Sequence, residues 1–286
     1  MQTGQRVAVI GMLVSGALAV VKIFTGIAGH STAVLADGLE SAGDVFASGF
    51  VLLALTLAAK PADEDHPYGH GRVEILTGLL IGLVLTVGGA LISFGSVQRL
   101  GTPHPGPARY VIWPLLVSLA AKSGLAGFKF RHGRRMHSAA LVADAWNDTM
   151  DTVSATAALI GVGLALSDPT RFLDADRYGA FVVGLIVVVA GLRVSRDTAL
   201  QLMDTMPDER LMTQIRTAAA TVAGVKGVEK CFARKTGLRY HVDLHLEVDP
   251  EMTVRQSHDI AHQVRLSILK QLDWVADVLV HVEPAP

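Results

Sequence analysis

The sequence predicts an α-helical membrane protein, six transmembrane helices in an inverted-repeat bundle, followed by a small C-terminal cytoplasmic α+β domain. Three observations predict it. Half of the 286 residues are hydrophobic and mean hydropathy is +0.41, which is too apolar for an ordinary soluble domain. The long apolar runs crowd into residues 1–200, whereas 201–286 has the mixed composition of a soluble fold, so the domain boundary is expected there. Finally, ADGLESAGD at 36–44 returns in outline as ADAWNDTMD at 143–151.

Taken in order, apolar segments of spanning length fall at about 7–28, 33–58, 73–98, 109–130, 138–166 and 175–199. The first starts near Val7 and has no A-x-A site after it, so it reads as a retained span and not as a cleavable signal. Lys22 within it is expected to snorkel towards an interface. Connectors at 61–71, 101–107, 131–135 and 167–177 are Gly/Pro-rich or charged. Lys60 and Arg72 follow span two, and Lys129, Arg131, Arg134 and Arg135 follow span four. The opposite side carries Arg99, Arg109, Arg171 and Arg177, diluted by Asp168, Asp174 and Asp176. The positive-inside rule then places both termini in the cytoplasm. A net charge of −1 gives no reason to expect nucleic acid as a partner, and one cysteine, Cys231, excludes an internal disulfide framework.

The repeat sits on spans two and five. The upstream residues match too: His30-Ser31 with His137-Ser138, and Ala33 with Ala140. Three spans per unit is an odd number, so the second unit is inverted, a recurrent transporter design. Positions i, i+3, i+4 and i+7 share a helix face. That face collects Asp37, Glu40, Ser41 and Asp44 in span two, and Asp144, Asn147, Asp148 and Asp151 in span five. Four unpaired acids at mid-membrane would cost about 10 kcal/mol or more on insertion scales. A divalent cation, or protons, would offset that cost. Asp37 and Asp144 have the alternative of capping helix ends, and Asp148 reads as a ligand or a proton acceptor.

Two further clusters lie outside the spans. Asp63, His66 and His70 form D-x-x-H-x-x-x-H, the spacing of a three-ligand site on a helical turn, or else of a connector anchored by its histidines. In the tail, helices are expected at 208–224 and 254–272 and strands at 228–233, 239–248 and 278–282. This resembles a β-α-β-β-α-β order without its first strand, compatible with a ferredoxin-like or metallochaperone-like domain. In YHVDLHLEV, His241, Asp243, His245 and Glu247 alternate with apolar residues and so line one strand face. His258 and His262 share a helix face, and His281 and Glu283 a strand face; a polar face wetted by solvent is the alternative reading.

The motif pair, together with DEDHPYGHGRVE at 63–74 and HVEP near the C-terminus, closely resembles the cation diffusion facilitator family of divalent-metal/proton antiporters. The resemblance runs over nearly the whole chain. It implies a homodimer with a four-ligand transport site at Glu40, Asp44, Asn147 and Asp151. It also implies a second metal site at Asp63, His66 and His70, cytoplasmic metal binding at His245, His258, His281 and Glu283, and a charge contact between Arg72 and Asp204. Zinc-selective relatives usually have histidine where this chain has Asn147. An all-oxygen site suits harder ions, so manganese or iron is expected ahead of zinc.

The expected function is therefore secondary transport, exporting divalent metal cations in exchange for protons. The partners are the metal, protons, membrane lipid and a second copy of the chain. Metal ions act as substrate and regulator, with no prosthetic group, and the expected location is a bacterial inner membrane. The alternative is a membrane-anchored metal sensor or assembly partner that does not transport. An intramembrane metalloenzyme would need an HExxH-like motif or a nucleophile with its base, and neither is present. A carrier of organic solutes fits the histidine-rich tail poorly.

Overall fold

The computed structural model describes the backbone of residues 2–58, 60–135 and 139–286, and their side chains apart from 2–11, 51, 52, 55, 133, 135 and 139–144. The upstream repeat positions His137, Ser138 and Ala140, and the Asp144 side chain, lie outside the described residues. Six long helices precede the tail: α1 Gln2–Ala28, α2 Thr32–Ala58, α3 Arg72–Gln98, α4 Ile112–Arg135, α5 Ala139–Ser167 and α6 Ala175–Leu202. A short 3₁₀ turn, Arg109–Val111, leads into α4. Four of the described helices are long and apolar enough to cross a membrane by length and composition. α2 carries Asp37, Glu40 and Asp44 inside an otherwise apolar stretch. The connector expected at 131–135 is instead the last turn of α4.

The chain forms two compact units, Met1–Phe50 with Leu80–Val194, and Val51–Leu79 with Ser195–Pro286. In the first, Ala33, Val34 and Ala36 of α2 pack with Leu115 of α4, Ala158 and Val162 of α5, and Ala180 and Val183 of α6. α4 runs along α5. α1 and α2 approach at backbone distance: a Cβ on Gly38 would lie 2.9 Å from the Ile23 nitrogen, and one on Gly26 2.7 Å from the Leu35 nitrogen. Small residues permit such contact between membrane helices. The start of α2 is held by α6. Asp176 accepts hydrogen bonds from Ser31 Oγ at 2.6 Å and from the Thr32 nitrogen at 2.6 Å. These satisfy donors that a helix N-terminus leaves open. Arg177 beside it donates to the carbonyls of Arg99 and Thr102 and to Asp174. It is a buried structural arginine and not a free surface charge.

In the second unit, α7 Glu209–Ala220, β1 Gly227–Thr236, β2 Arg239–Val248, α8 Val254–Gln271 and β3 Val275–Pro284 follow one another. The sheet order is β1-β2-β3, antiparallel between β1 and β2 and parallel between β2 and β3. α8 makes the crossover that a parallel pair requires, and a Thr253/Gln256 capping box starts it. Val242, Leu244, Leu246 and Val248 of β2 point into a core with Met212, Ile215, Val264 and Ile268. The alternation read from YHVDLHLEV therefore holds, and its polar set is left on the other face. Cys231 is buried in that core, where burial pushes its thiol up to about 11.

Candidate functional site

The acids of α2 and α5 sit in a network of buried charge. Lys22 of α1 is 1% exposed and its Nζ lies 2.8 Å from Asp37 Oδ2, with Ser41 Oγ at 2.7 Å and Ser118 Oγ at 3.2 Å. Lys122 of α4 is 2% exposed. Its Nζ lies 2.5 Å from Asp151 Oδ2, 3.4 Å from Asp148 Oδ1 and 2.8 Å from Ser15 Oγ. Lys129, about two turns later on α4 and 3% exposed, lies 2.5 Å from Asp148 Oδ2. Each lysine supplies the opposite charge that a buried carboxylate needs.

Glu40 and Asp44 have no lysine of their own among these ion pairs. Ser154 of α5 donates to Glu40 Oε1 at 2.8 Å, tying α2 to α5. The Asp44 carboxyl lies within hydrogen-bonding reach of Asp151. Glu40 Oε2 and Asp44 Oδ2 are buried and accept no hydrogen bond from any described residue. Five described carboxyl groups, Asp37, Glu40, Asp44, Asp148 and Asp151, thus face three buried lysines. The two charges left over match one divalent cation, or two protons.

Several expectations are corrected here. Lys22 does not snorkel; it is enclosed and ion-paired, because Asp37 on the adjacent helix offers a stronger partner than a distant interface. Asp37 is paired with it and is not a solvated cap. Lys129 belongs to the interior of α4 and not to the loop, so it drops out of the positive-inside comparison. Asn147 is exposed while its neighbour Asp148 and Asp151 are buried. Adjacent helix positions differ by about 100° in direction, so the predicted face divides between them. The three lysines were the functional residues that sequence reasoning missed. The available signal was their position inside apolar runs.

The loop cluster forms as expected, by a different backbone. Asp63 Oδ1 lies 3.0 Å from His66 Nδ1, Asp63 Oδ2 lies 3.4 Å from His70 Nε2, and the two rings are 4.3 Å apart. Residues 60–71 are not helical. Asp63 accepts the His66 backbone N–H at 2.7 Å, and Gly69, at φ +78°, turns the chain so that His70 returns to the carboxylate. Desolvation is the largest single influence on Asp63 and pushes it up; the backbone and ring hydrogen bonds from His66, with the charges of His66 and His70, together outweigh it and hold the carboxyl below its ordinary value. Tyr68 of this loop packs edge-on against His241, and Arg234 stacks on Tyr68. Arg72 Nη2 meets Asp204 Oδ1 at 3.0 Å, both side chains well exposed, as the resemblance implies.

In the tail, His245 on β2 and His281 on β3 are register partners. His245 Nδ1 is 2.6 Å from Glu283 Oε1, and His281 Nε2 is 3.7 Å from the same oxygen. These three have ligand atoms within 4.8 Å of one another, as do Asp63, His66 and His70. Glu229 joins them: its hydrogen bond, then that of His245, holds Glu283 below the ordinary carboxylate range. An irregularity in the β1–β2 register between Val228 and Lys230 sets Glu229 apart from the regular ladder. His258 stands outside this grouping. It is exposed on α8, whose Val264 and Ile268 pack on the apolar side of the sheet, opposite the polar face that carries His245. His262 is likewise exposed on α8.

Comparison with known proteins covers the whole chain. The family model of the cation efflux transmembrane domain matches residues 8–203, and that of the cation efflux protein cytoplasmic domain matches residues 207–285. The manganese efflux system protein MneP of Bacillus subtilis is 31% identical, over 99% of this chain and 97% of its own length. Metal tolerance protein C1 of Arabidopsis thaliana is 31% identical over 99% of this chain, which spans 63% of that protein. The magnetosome protein MamB of a Magnetospira strain is 29% identical, over 91% of this chain and 88% of its own length.

Proposed function

We propose, from the premise that this chain belongs to the cation efflux (cation diffusion facilitator) family of membrane metal transporters, that it exports manganese or ferrous iron from the cytosol in exchange for protons. The single observation that carries the reading is the pair of buried, unpartnered carboxylate oxygens on Glu40 and Asp44, one helical turn apart and facing Asp151. Unpaired buried acceptors are costly, and here they converge where α2 meets α5. A divalent cation satisfies both; so do two protons. That equivalence is what an exchanger needs.

The ligand set is Glu40, Asp44 and Asp151, with Asn147 as the fourth when α5 turns it inward. All are oxygen donors, which favours manganese or ferrous iron over zinc. The similar Bacillus protein, named a manganese efflux system protein, points the same way. Metal arriving from the cytosol takes up the carboxylates as their protons leave, the bundle reopens to the other side, and incoming protons compete the metal off. The lysine-neutralised acids, Asp37 and Asp148, stay charged throughout and keep the surroundings constant.

The functional division is 1–200 for transport and 201–286 for cytoplasmic metal sensing. The His245, His281 and Glu283 cluster binds metal and bridges two tails in a homodimer, so that rising cytosolic metal favours export. Asp63, His66 and His70 hold a second regulatory ion. Both termini are cytoplasmic, in a bacterial inner membrane.

The test is flux into proteoliposomes carrying an internal proton dye, with manganese, ferrous iron, cobalt, zinc and cadmium. Manganese or iron flux with counter-moving protons is expected, lost in Asp151→Ala. Asn147→His should shift the preference towards zinc. Metal binding to the tail without flux of any metal would replace this reading with the sensor.

A further inference from the structure

We propose that Lys122 is a tethered counter-cation of the transport site, which an incoming divalent cation has to displace from Asp151. The inference rests on the reading of Asp151 as a metal ligand. Its basis is an asymmetry between the buried lysines. Lys22 sits on Asp37, and Lys129 on Asp148; neither acid belongs to the proposed ligand set. Among the described contacts, Lys122 alone of the three sits on a proposed ligand, 2.5 Å from Asp151 Oδ2. An ammonium at hydrogen-bond distance occupies the space and the lone pairs that a metal ion would use.

A second seat for the displaced ammonium is already built. Ser15 Oγ lies 2.8 Å from Lys122 Nζ, and Asp148 Oδ1 lies 3.4 Å away. Asp148 is three residues before Asp151 on α5, so both carboxylates present to one side of the helix. When Nζ leaves Asp151 it closes on Asp148 and keeps Ser15. Lys129 stays on the other oxygen of Asp148. The charge therefore moves by a side-chain swing, with no proton transferred and no ammonium left unpaired.

The arrangement also selects for valence. A monovalent cation replacing an ammonium on Asp151 exchanges one positive charge for one, with a dehydration cost and little Coulombic return. A divalent cation brings twice the charge to the same carboxylates and to the unpartnered oxygens of Glu40 and Asp44. Lys122 thus acts on the site as a permanent competitor that only a divalent ion outbids.

The experiment is a titration of the full-length protein with Mn²⁺, in lipid nanodiscs at fixed pH. Free Mn²⁺ is read by its electron paramagnetic resonance signal, and binding that survives Asp151→Ala is subtracted. Lys122→Gln, neutral and of similar length, should bind Mn²⁺ about tenfold more tightly, a coupling of ordinary size. Sodium should compete with Mn²⁺ in that variant and not in the wild type. Lys122→Arg should bind more weakly, because the guanidinium fork grips paired carboxylates. A residue that merely supports the fold would weaken binding in both variants. Unchanged or weaker binding in Lys122→Gln overturns the proposal. If that variant does not fold, Lys122→Met takes its place: tighter Mn²⁺ binding supports the proposal, and unchanged or weaker binding overturns it. If Asp151→Ala removes no Mn²⁺ from the wild type, the transport-site reading itself has failed, whatever the lysine variants do.

Discussion

The acids inside the helical bundle and the acids of the tail solve the same problem by opposite means. In the bundle, Asp37, Asp148 and Asp151 each have a lysine at 2.5–2.8 Å, because a charge removed from water must find its partner within the protein. In the tail, Glu283 gathers His245, His281 and Glu229 on a solvent-wetted sheet face. Water carries much of the burden there. The bundle neutralises three of its five described acids with lysines and leaves Glu40 and Asp44 without one among the described contacts. The tail brings three candidate ligand residues, His245, His281 and Glu283, within reach of one another.

The sharpest way to break this contrast is to remove one lysine that the transport site does not use. Lys22→Met leaves Asp37 buried and unpaired, and should cost about 3–5 kcal/mol of stability. Lys22→Met with Asp37→Leu should recover most of it, since an apolar pair of similar volume replaces a buried ion pair well. Unfolding titrations in detergent measure both. As the matched comparison, Arg72→Ala at the exposed Arg72–Asp204 pair should change stability by about 1 kcal/mol or less. A double variant as unstable as Lys22→Met would mean that Asp37 matters for something other than its charge balance.

The tail gives the intermediate effect, and of the opposite kind. Glu283→Ala should weaken metal binding by about tenfold or more, equivalent to 1.4 kcal/mol, while leaving thermal stability nearly unchanged. Glu283 contributes a ligand oxygen to a polar face and no contact to the core formed by Leu244, Leu246, Val264 and Ile268. Calorimetry with zinc on the Asp151→Ala background separates this site from the membrane one. A large fall in stability would show that the cluster also holds the sheet together.

These differences explain what the sequence could and could not tell. The six helices and the alternation of β2 were legible because hydropathy period is local: each segment carries its own signal. The tail cluster was nearly legible for the same reason, since His245, His281 and Glu283 lie on strands whose faces the alternation assigns. His258 failed because the side of the sheet that α8 covers is a property of packing. The lysines failed more completely. Lys22 joins a residue on the next helix, and Lys122 and Lys129 join acids on α5, and nothing in a window of one span reveals a partner in another. An expected cost for unpaired acids was the correct warning. Basic residues within the apolar runs meet that cost as well as a metal does. The loop cluster was legible in its residues and not in its backbone: the spacing suited a helix, but Pro67 and Gly69 turn the chain instead.

The smallest expected effect probes how dry the tail's polar face is beside the loop. His241 is held below its ordinary value, first by burial, then by the charge of Arg234, against the opposing pull of Asp277 and Asp243. Tyr68 covers its ring. The unfolded histidine titrates near 6.5, above the folded one. Above about 6.5 both states are neutral and the contribution of His241 to stability is fully present. As pH falls from there towards the lower folded value, the unfolded state takes up the proton first and stability is lost. His241→Gln should therefore flatten the fall in melting temperature between about pH 7 and pH 5.5, and Tyr68→Ala, by wetting the ring, should flatten it in part. An acid slope untouched by either change would place His241 in water, and the face that carries the metal cluster would then be solvated throughout, widening the contrast with the bundle.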